Sequence, residues 1–351
     1  MMLQGHFIDT LLAIEYRDPD NIAYSTWLYF RGITAPVFFT ISGLIFTYLL
    51  IKAKEKGTLS IRIRKGLVRG LMLIGIGYAL RIPIFRWLTG KFGTYFMVID
   101  VLQCIGLSLI LIVSIYLLAR KKTLIFSVVM LCLGTLIFLC EPLFRTYSAE
   151  RIPLFFANYL TKVNGSVFTI LPWFGYMAYG AFIATLFYGY LTRPKFKTGL
   201  ITGFFVTGLI LVYGSTPVFL ELAKLINWTL LTEVANFNYL FIRLGNVLVI
   251  FGLFYAFEDY LKQPVVLIIG QKTLSIYVIH FILLYGSFTG LGLNQILGKV
   301  LTPFEVVFGA ICFLVTVSLI SIYIIKANTH IYKYIIDKLH YLKSLTKFLN
   351  N

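Results

Sequence analysis

The stretch Arg31-Gly-Ile-Thr-Ala-Pro-Val-Phe-Phe-Thr-Ile-Ser-Gly-Leu-Ile-Phe-Thr-Tyr48 decides the fold of this chain. One permanent charge opens a run that is otherwise apolar or small. About 20 such residues cross the roughly 30 Å of hydrocarbon in a bilayer as a helix. The small residues in the run let neighbouring helices approach closely. His6 lies upstream, in a second apolar segment, 1–14. A guanidinium at a helix mouth and an imidazole in a nearby helix point to a polytopic membrane protein with a polar centre near one face.

Composition agrees. Apolar residues make up 59% of the 351, charged residues 13%, and the mean hydropathy is +0.87. Soluble domains average about 45–50% apolar and about 25% charged. The expected fold class is therefore all-α, a polytopic transmembrane helix bundle. Apolar runs predict spans near 34–52, 67–88, 96–119, 123–141, 168–190, 199–214, 238–257, 264–286 and 303–325, with the 199–214 run short enough to extend or tilt. Residues 1–14 are too short to span and lack the basic start of a signal peptide. They read as the outer half of a first helix whose inner half is missing, giving about nine full spans plus a partial one, ten in an intact protein; an interfacial half-helix is the alternative.

The net charge of +17 follows topology. Alternating the spans puts 52–69, 120–122, 193–197, 258–262 and the tail from Lys326 on one side. Those segments hold 19 of the 31 Lys and Arg but 4 of the 14 acids. The positive-inside rule makes that side cytoplasmic, in a bacterial-type inner or plasma membrane, with the C-terminus inside. Nucleic acid is not the expected partner. Residues 1–326 read as one membrane domain. In 327–351, Ile331, Tyr334, Ile335, Leu339, Leu342 and Leu345 fall at helical spacing among lysines, a basic amphipathic tail suited to anionic inner-leaflet lipid. His330 and His340 there read as solvated. Cys104, Cys132, Cys140 and Cys312 fall in predicted spans with no zinc or disulfide spacing, so no metal is expected. Neither a P-loop nor a dinucleotide fingerprint occurs.

Ionisable side chains inside a membrane are costly and mark function. His6, Arg31, Arg81, Asp100 with Gln103, Arg243 with Asn246, and His280 all fall toward the outer ends of their predicted helices. Each has a structural reading as well. Arg31 can snorkel to the interface. Asp100 can neutralise Arg81 or Arg243 as a buried ion pair. Gln103 and Asn246 can bridge helices, and His280 can be a satisfied interior histidine. His6 is the best catalytic candidate, because imidazole exchanges a proton near neutral pH.

Several motifs resemble the membrane acyltransferase superfamily. Met2-Leu-Gln-Gly-His6 and Phe39-Thr-Ile-Ser-Gly-Leu-Ile-Phe46 are similar to the opening of the acyltransferase-3 branch. Asp100-Val-Leu-Gln-Cys-Ile-Gly-Leu-Ser108 and Leu171-Pro-Trp-Phe-Gly-Tyr-Met177 are similar to the heparan-α-glucosaminide N-acetyltransferase branch. Gly270-Gln-Lys-Thr-Leu-Ser-Ile-Tyr-Val-Ile-His280 resembles a late helix of both. Three departures stand out. The upstream Asp-x-x-Arg-Gly element is absent, the catalytic-His position of the heparan branch falls at or near Trp27, and the usual Arg after Gln103 is Cys104.

The resemblance implies an acetyl-CoA or other acyl-CoA donor, cytosolic, and a saccharide acceptor at the outer face: an amino sugar, a glycan or a lipid-linked saccharide. It gives His6 the base or acyl-carrier role. Arg31, Arg81 or Arg243 would stabilise the oxyanion, while Asp100 holds the imidazole or an arginine and His280 completes the catalytic set. Gln103 and Asn246 would support them. Arg62, Arg64, Lys65 and Arg69 would meet the donor's phosphates, although topology alone also accounts for them. The alternatives from other classes are a transporter or flippase using the same polar cluster, and a non-catalytic scaffold. An oligomer is compatible with any of these.

Overall fold

The computed structural model describes residues 1–323. The basic tail expected over 327–351 lies outside the described residues. The principal helices are α1 (Met2–Leu11), α2 (Ile22–Glu55), α3 (Leu59–Ala79), α4 (Val101–Leu118), α5 (Thr123–Leu139), α6 (Ile170–Tyr190), α7 (Phe196–Leu209), α8 (Ser215–Ile226), α9 (Tyr239–Ala256), α10 (Pro264–Gln271), α11 (Thr273–Tyr285) and α12 (Pro303–Tyr323). Among the described residues the β-structure is one isolated parallel bridge, Leu12 to Leu301. The all-α class and the multi-pass character follow. Six segments are long and apolar enough to cross a membrane: α2, residues 94–118, α6, residues 196–226, α9 and α12. The α10–α11 pair, bent by 66°, counts as a seventh if it is one broken span.

Two of the nine expected spans fall outside that set: α5 is only 17 residues long, and α3, at 21 residues, carries Arg62, Arg64, Lys65 and Arg69. The run expected at 67–88 is a helix over 59–79 that stops before Pro83, with a separate short helix at Ile84–Leu88. Proline lacks the N–H to continue a helix and disfavours helical backbone in the residue before it. The short 199–214 run does extend, through a π-helical stretch at Ile210–Gly214 into α8.

Two compact units form among the described residues, Asp20–Asp259 and Met1–Pro19 with 260–323. In the larger one, α2 begins at Asn21, whose side chain accepts from the backbone N–H groups of Ala23 and Tyr24 (3.0 and 3.2 Å). At 34 residues it is about 50 Å long. Its packing against α6 answers the small residues of the opening motif. Gly43 lies against the Met177 carbonyl and Gly180 against the Thr40 carbonyl, with no room for a Cβ on either. The same device recurs where Gly70 of α3 meets Gly106 of α4, and where Gly208 of α7 meets Gly245 of α9. In lipid, where burying apolar side chains gives little drive, such close backbone contact is what holds helices together. Gly180→Leu should therefore lower the melting temperature of purified protein sharply, by about 1–3 kcal/mol of overpacking or more. Gly203→Leu, on α7 with open space around it, should leave melting unchanged.

The smaller unit joins α1 to α10, α11 and α12. Backbone bonds from Ala13 N to Leu301 O and from Leu301 N to Leu11 O (both 3.0 Å) pin the end of α1. The Phe7 ring lies 5.1 Å from that of Phe313 on α12, in space left by Gly309. Arg17 folds back onto the carbonyl oxygens of Asp9 (2.7 Å) and Leu12. The ten residues of α1 reach about 15 Å, half a bilayer core.

Candidate functional site

In the smaller unit, α11 carries Tyr277, His280, Phe281 and Tyr285, a stripe at helical spacing. It ends at Gly286, whose φ of 66° is the left-handed cap that glycine adopts without strain. The stripe meets His6 of α1. The His6 and His280 rings stack with centroids 5.2 Å apart and planes 30° from parallel. His6 Nδ1 lies 3.0 Å from Tyr285 Oη, and Thr10 Oγ1 donates to the same phenol at 3.5 Å. His280 is fully buried; its Nδ1–H donates to the Ile276 carbonyl at 3.3 Å, and the Tyr277 ring meets it edge-on at 5.0 Å. Two of the histidines marked in the sequence thus sit face to face, with a phenol oriented on one of them. A hydrogen bond to one ring nitrogen sets a histidine's tautomer and orientation, and the Tyr285 hydroxyl lies within that distance of His6 Nδ1.

In the larger unit, the other marked residues separate into distinct places. Arg81, 8% exposed, follows α3, and its Nη2 bonds Asp100 Oδ2 at 2.7 Å. Asp100 also caps α4. Its Oδ1 accepts from Val101 N at 2.8 Å, and Gln103 Oε1 accepts from Asp100 N at 3.2 Å, a capping box. Of the two arginines that Asp100 could neutralise, it takes Arg81. The Arg81 guanidinium also lies over the Tyr95 ring, 5.0 Å from its centroid, and Gly77 makes room for the fully buried Gln103. Arg31 lies on α2 over the Trp27 ring at 5.8 Å, so the position that the sequence comparison equated with a histidine carries the platform under this arginine. Of the basic group on α3, Arg62 is half-buried over Phe46 (5.6 Å), whereas Arg64, Lys65 and Arg69 are exposed.

Arg243 and Asn246 of α9 face a cavity of about 310 Å³, together with Tyr29, Asn238 and Tyr239. Ile33, Phe237 and Ile242 supply its apolar wall. The guanidinium packs onto α2 at Gly32, where a Cβ would collide with it. Asn246 Oδ1 accepts from Tyr29 Oη at 2.8 Å. Asn238 Nδ2 donates to Ser215 Oγ (2.6 Å) and Thr216 Oγ1 (3.0 Å).

Sequence reasoning missed Tyr285, Tyr29 and Asn238. Tyr285 had a signal, the aromatic stripe in register with His280; Tyr29, two turns into α2, and Asn238, the residue before α9, had none. Among the described residues no three His, Cys, Asp or Glu side chains gather as metal ligands.

A family model described as "Heparan-alpha-glucosaminide N-acetyltransferase, catalytic" matches residues 1–223. That span holds His6, Arg31, the basic group of α3, Arg81, Asp100 and Gln103, and it ends before Arg243 and His280. No curated protein and no solved structure matches the chain. The family match spans well over half of the 351 residues, and with the membrane-length helices beneath it the chain belongs to the heparan-alpha-glucosaminide N-acetyltransferase family, as a multi-pass membrane transferase.

Proposed function

We propose that the protein transfers an acetyl group from cytosolic acetyl-CoA to a saccharide at the outer membrane face, with His6 as the catalytic base. The acceptor is an amino sugar, free or within a glycan or a lipid-linked saccharide. The observation that carries this reading is the His6–Tyr285 contact of 3.0 Å beside the stacked His280. In the reaction the acceptor nitrogen attacks the thioester carbonyl. His6 takes the proton that the nitrogen sheds, the C–S bond breaks as the C–N bond holds, and the departing thiolate is protonated to free CoA. An oriented imidazole is what that proton movement needs, and Tyr285 keeps the ring from turning away. His280, walled by Tyr277 and Phe281, excludes water from one face of His6. Short-lived acetylation of His6 would divide the same transfer into two steps. Asp100 and Arg81 serve as a positioning pair for the start of α4, and Arg62, Arg64, Lys65 and Arg69 are candidates for meeting the donor's phosphates.

Incubation of purified protein with acetyl-labelled CoA and a pool of amino sugars tests the reading. Label should pass to sugar and free CoA should appear in equal amount. Sugar movement across vesicles with no acetyl-CoA requirement would instead fit a transporter.

A further inference from the structure

The cavity under Arg243 has a composition that the proton transfer assigned to His6 does not call on. Its cation has no counter-charge: none of the ion pairs among the described residues includes Arg243. The nearby acid Glu141 is taken by Arg145, 3.7 Å away, and Arg145 in turn lies over Phe237, 4.6 Å from the ring centroid. Two buried polar atoms of the lining residues also lack hydrogen-bond partners, Asn246 Nδ2 and Asn238 Oδ1, and Asn238 is only 7% exposed. Pro36 of α2 has no N–H with which to pair the carbonyl of Gly32, against which the guanidinium rests. A half-buried cation outside any ion pair and buried amide atoms left without partners are costly, and such gaps in a native structure call for an occupant.

We propose that this cavity is a binding site for an oxyanion, a carboxylate or phosphate, carried by a small polyol. Arg243 offers a planar fork of donors that suits either anion. Asn246 Nδ2 adds a donor beside it. Asn238 Oδ1 accepts from a hydroxyl group, and Tyr29 and Tyr239 flank the same space. At about 30 Å³ per water-sized group, the 310 Å³ holds about ten non-hydrogen atoms, the size of glycerol phosphate. The source is either a soluble metabolite or a lipid headgroup of that chemistry.

Equilibrium binding to the purified full chain, with no acetyl-CoA present, tests this separately from catalysis. The probes are glycerol 3-phosphate, glycerate and glycerol. At least one anion should bind at least tenfold more tightly than glycerol, and added salt should weaken it. Arg243→Gln and Asn246→Asp should each lower that affinity at least tenfold. Asn246→Asp nearly preserves side-chain shape and keeps the test valid if Arg243→Gln does not fold. Displacement of the bound anion by phosphatidylglycerol would assign the site to a lipid headgroup, and failure to displace would assign it to a soluble ligand. Binding of glycerol as tight as that of both anions, binding of neither anion, or an unchanged affinity in folded Asn246→Asp would overturn the proposal.

Discussion

His6→Ala should slow acetyl transfer by orders of magnitude and leave the protein folded; that is the largest effect expected of any single substitution here. Removing a positioned general base typically costs about 10²–10⁴-fold in rate. His6 is half-buried at the surface of a short helix, and α1 is held by other means, through the Leu11–Leu301 and Ala13–Leu301 backbone bonds and the Phe7–Phe313 contact. Melting in detergent should therefore move little while turnover collapses. Tyr285→Phe, which keeps the ring and deletes the hydroxyl 3.0 Å from Nδ1, separates orientation from chemistry. Its turnover should fall less than that of His6→Ala, and its rate should depend differently on pH. A His6→Ala variant with wild-type turnover would remove the imidazole from the mechanism altogether.

Asp100→Asn should be the most destabilising conservative change in the larger unit. The carboxylate and the Arg81 guanidinium are 6–15% exposed and 2.7 Å apart. Deleting one partner of such a pair leaves the other buried and uncompensated, at a cost of about 3–5 kcal/mol. An amide still caps a helix, so Asn at position 100 spares the α4 start and the loss reads the charge alone. Arg81→Met combined with Asp100→Asn removes both charges and should recover much of the stability, which a melting-temperature cycle would show. Melting of Asp100→Asn equal to that of wild type would mean that the pair is solvated and contributes nothing.

Helices were legible in this sequence because nothing else hides so much apolar side chain, and runs of about 20 residues have few other uses. Their ends were less so. Pro83 stops α3 well before the apolar run does, and Lys272 interrupts what composition reads as one span from 264 to 286. Asp100 and Gln103 show the opposite case, since Asp-x-x-Gln at a helix start is a readable capping box, but hydropathy alone flagged the two as polar groups at a certain depth. Depth along a helix follows from counting residues, whereas the direction a side chain faces depends on helix rotation, which small residues set through contacts such as Gly43 with Met177 and Gly180 with Thr40. That is why His6 and His280 could be named from the sequence, while Tyr285, one of 23 tyrosines, was set apart there only by its register with His280.

Transfer across a sealed bilayer tests the account most directly. Protein is reconstituted into vesicles holding an amino sugar inside, with labelled acetyl-CoA supplied only outside and His6→Ala vesicles as the blank. The account predicts acetylated sugar inside the vesicles, formed by wild type and missing from the blank. Acetylation that occurs only when donor and acceptor share one side, or that persists in the blank, would contradict it.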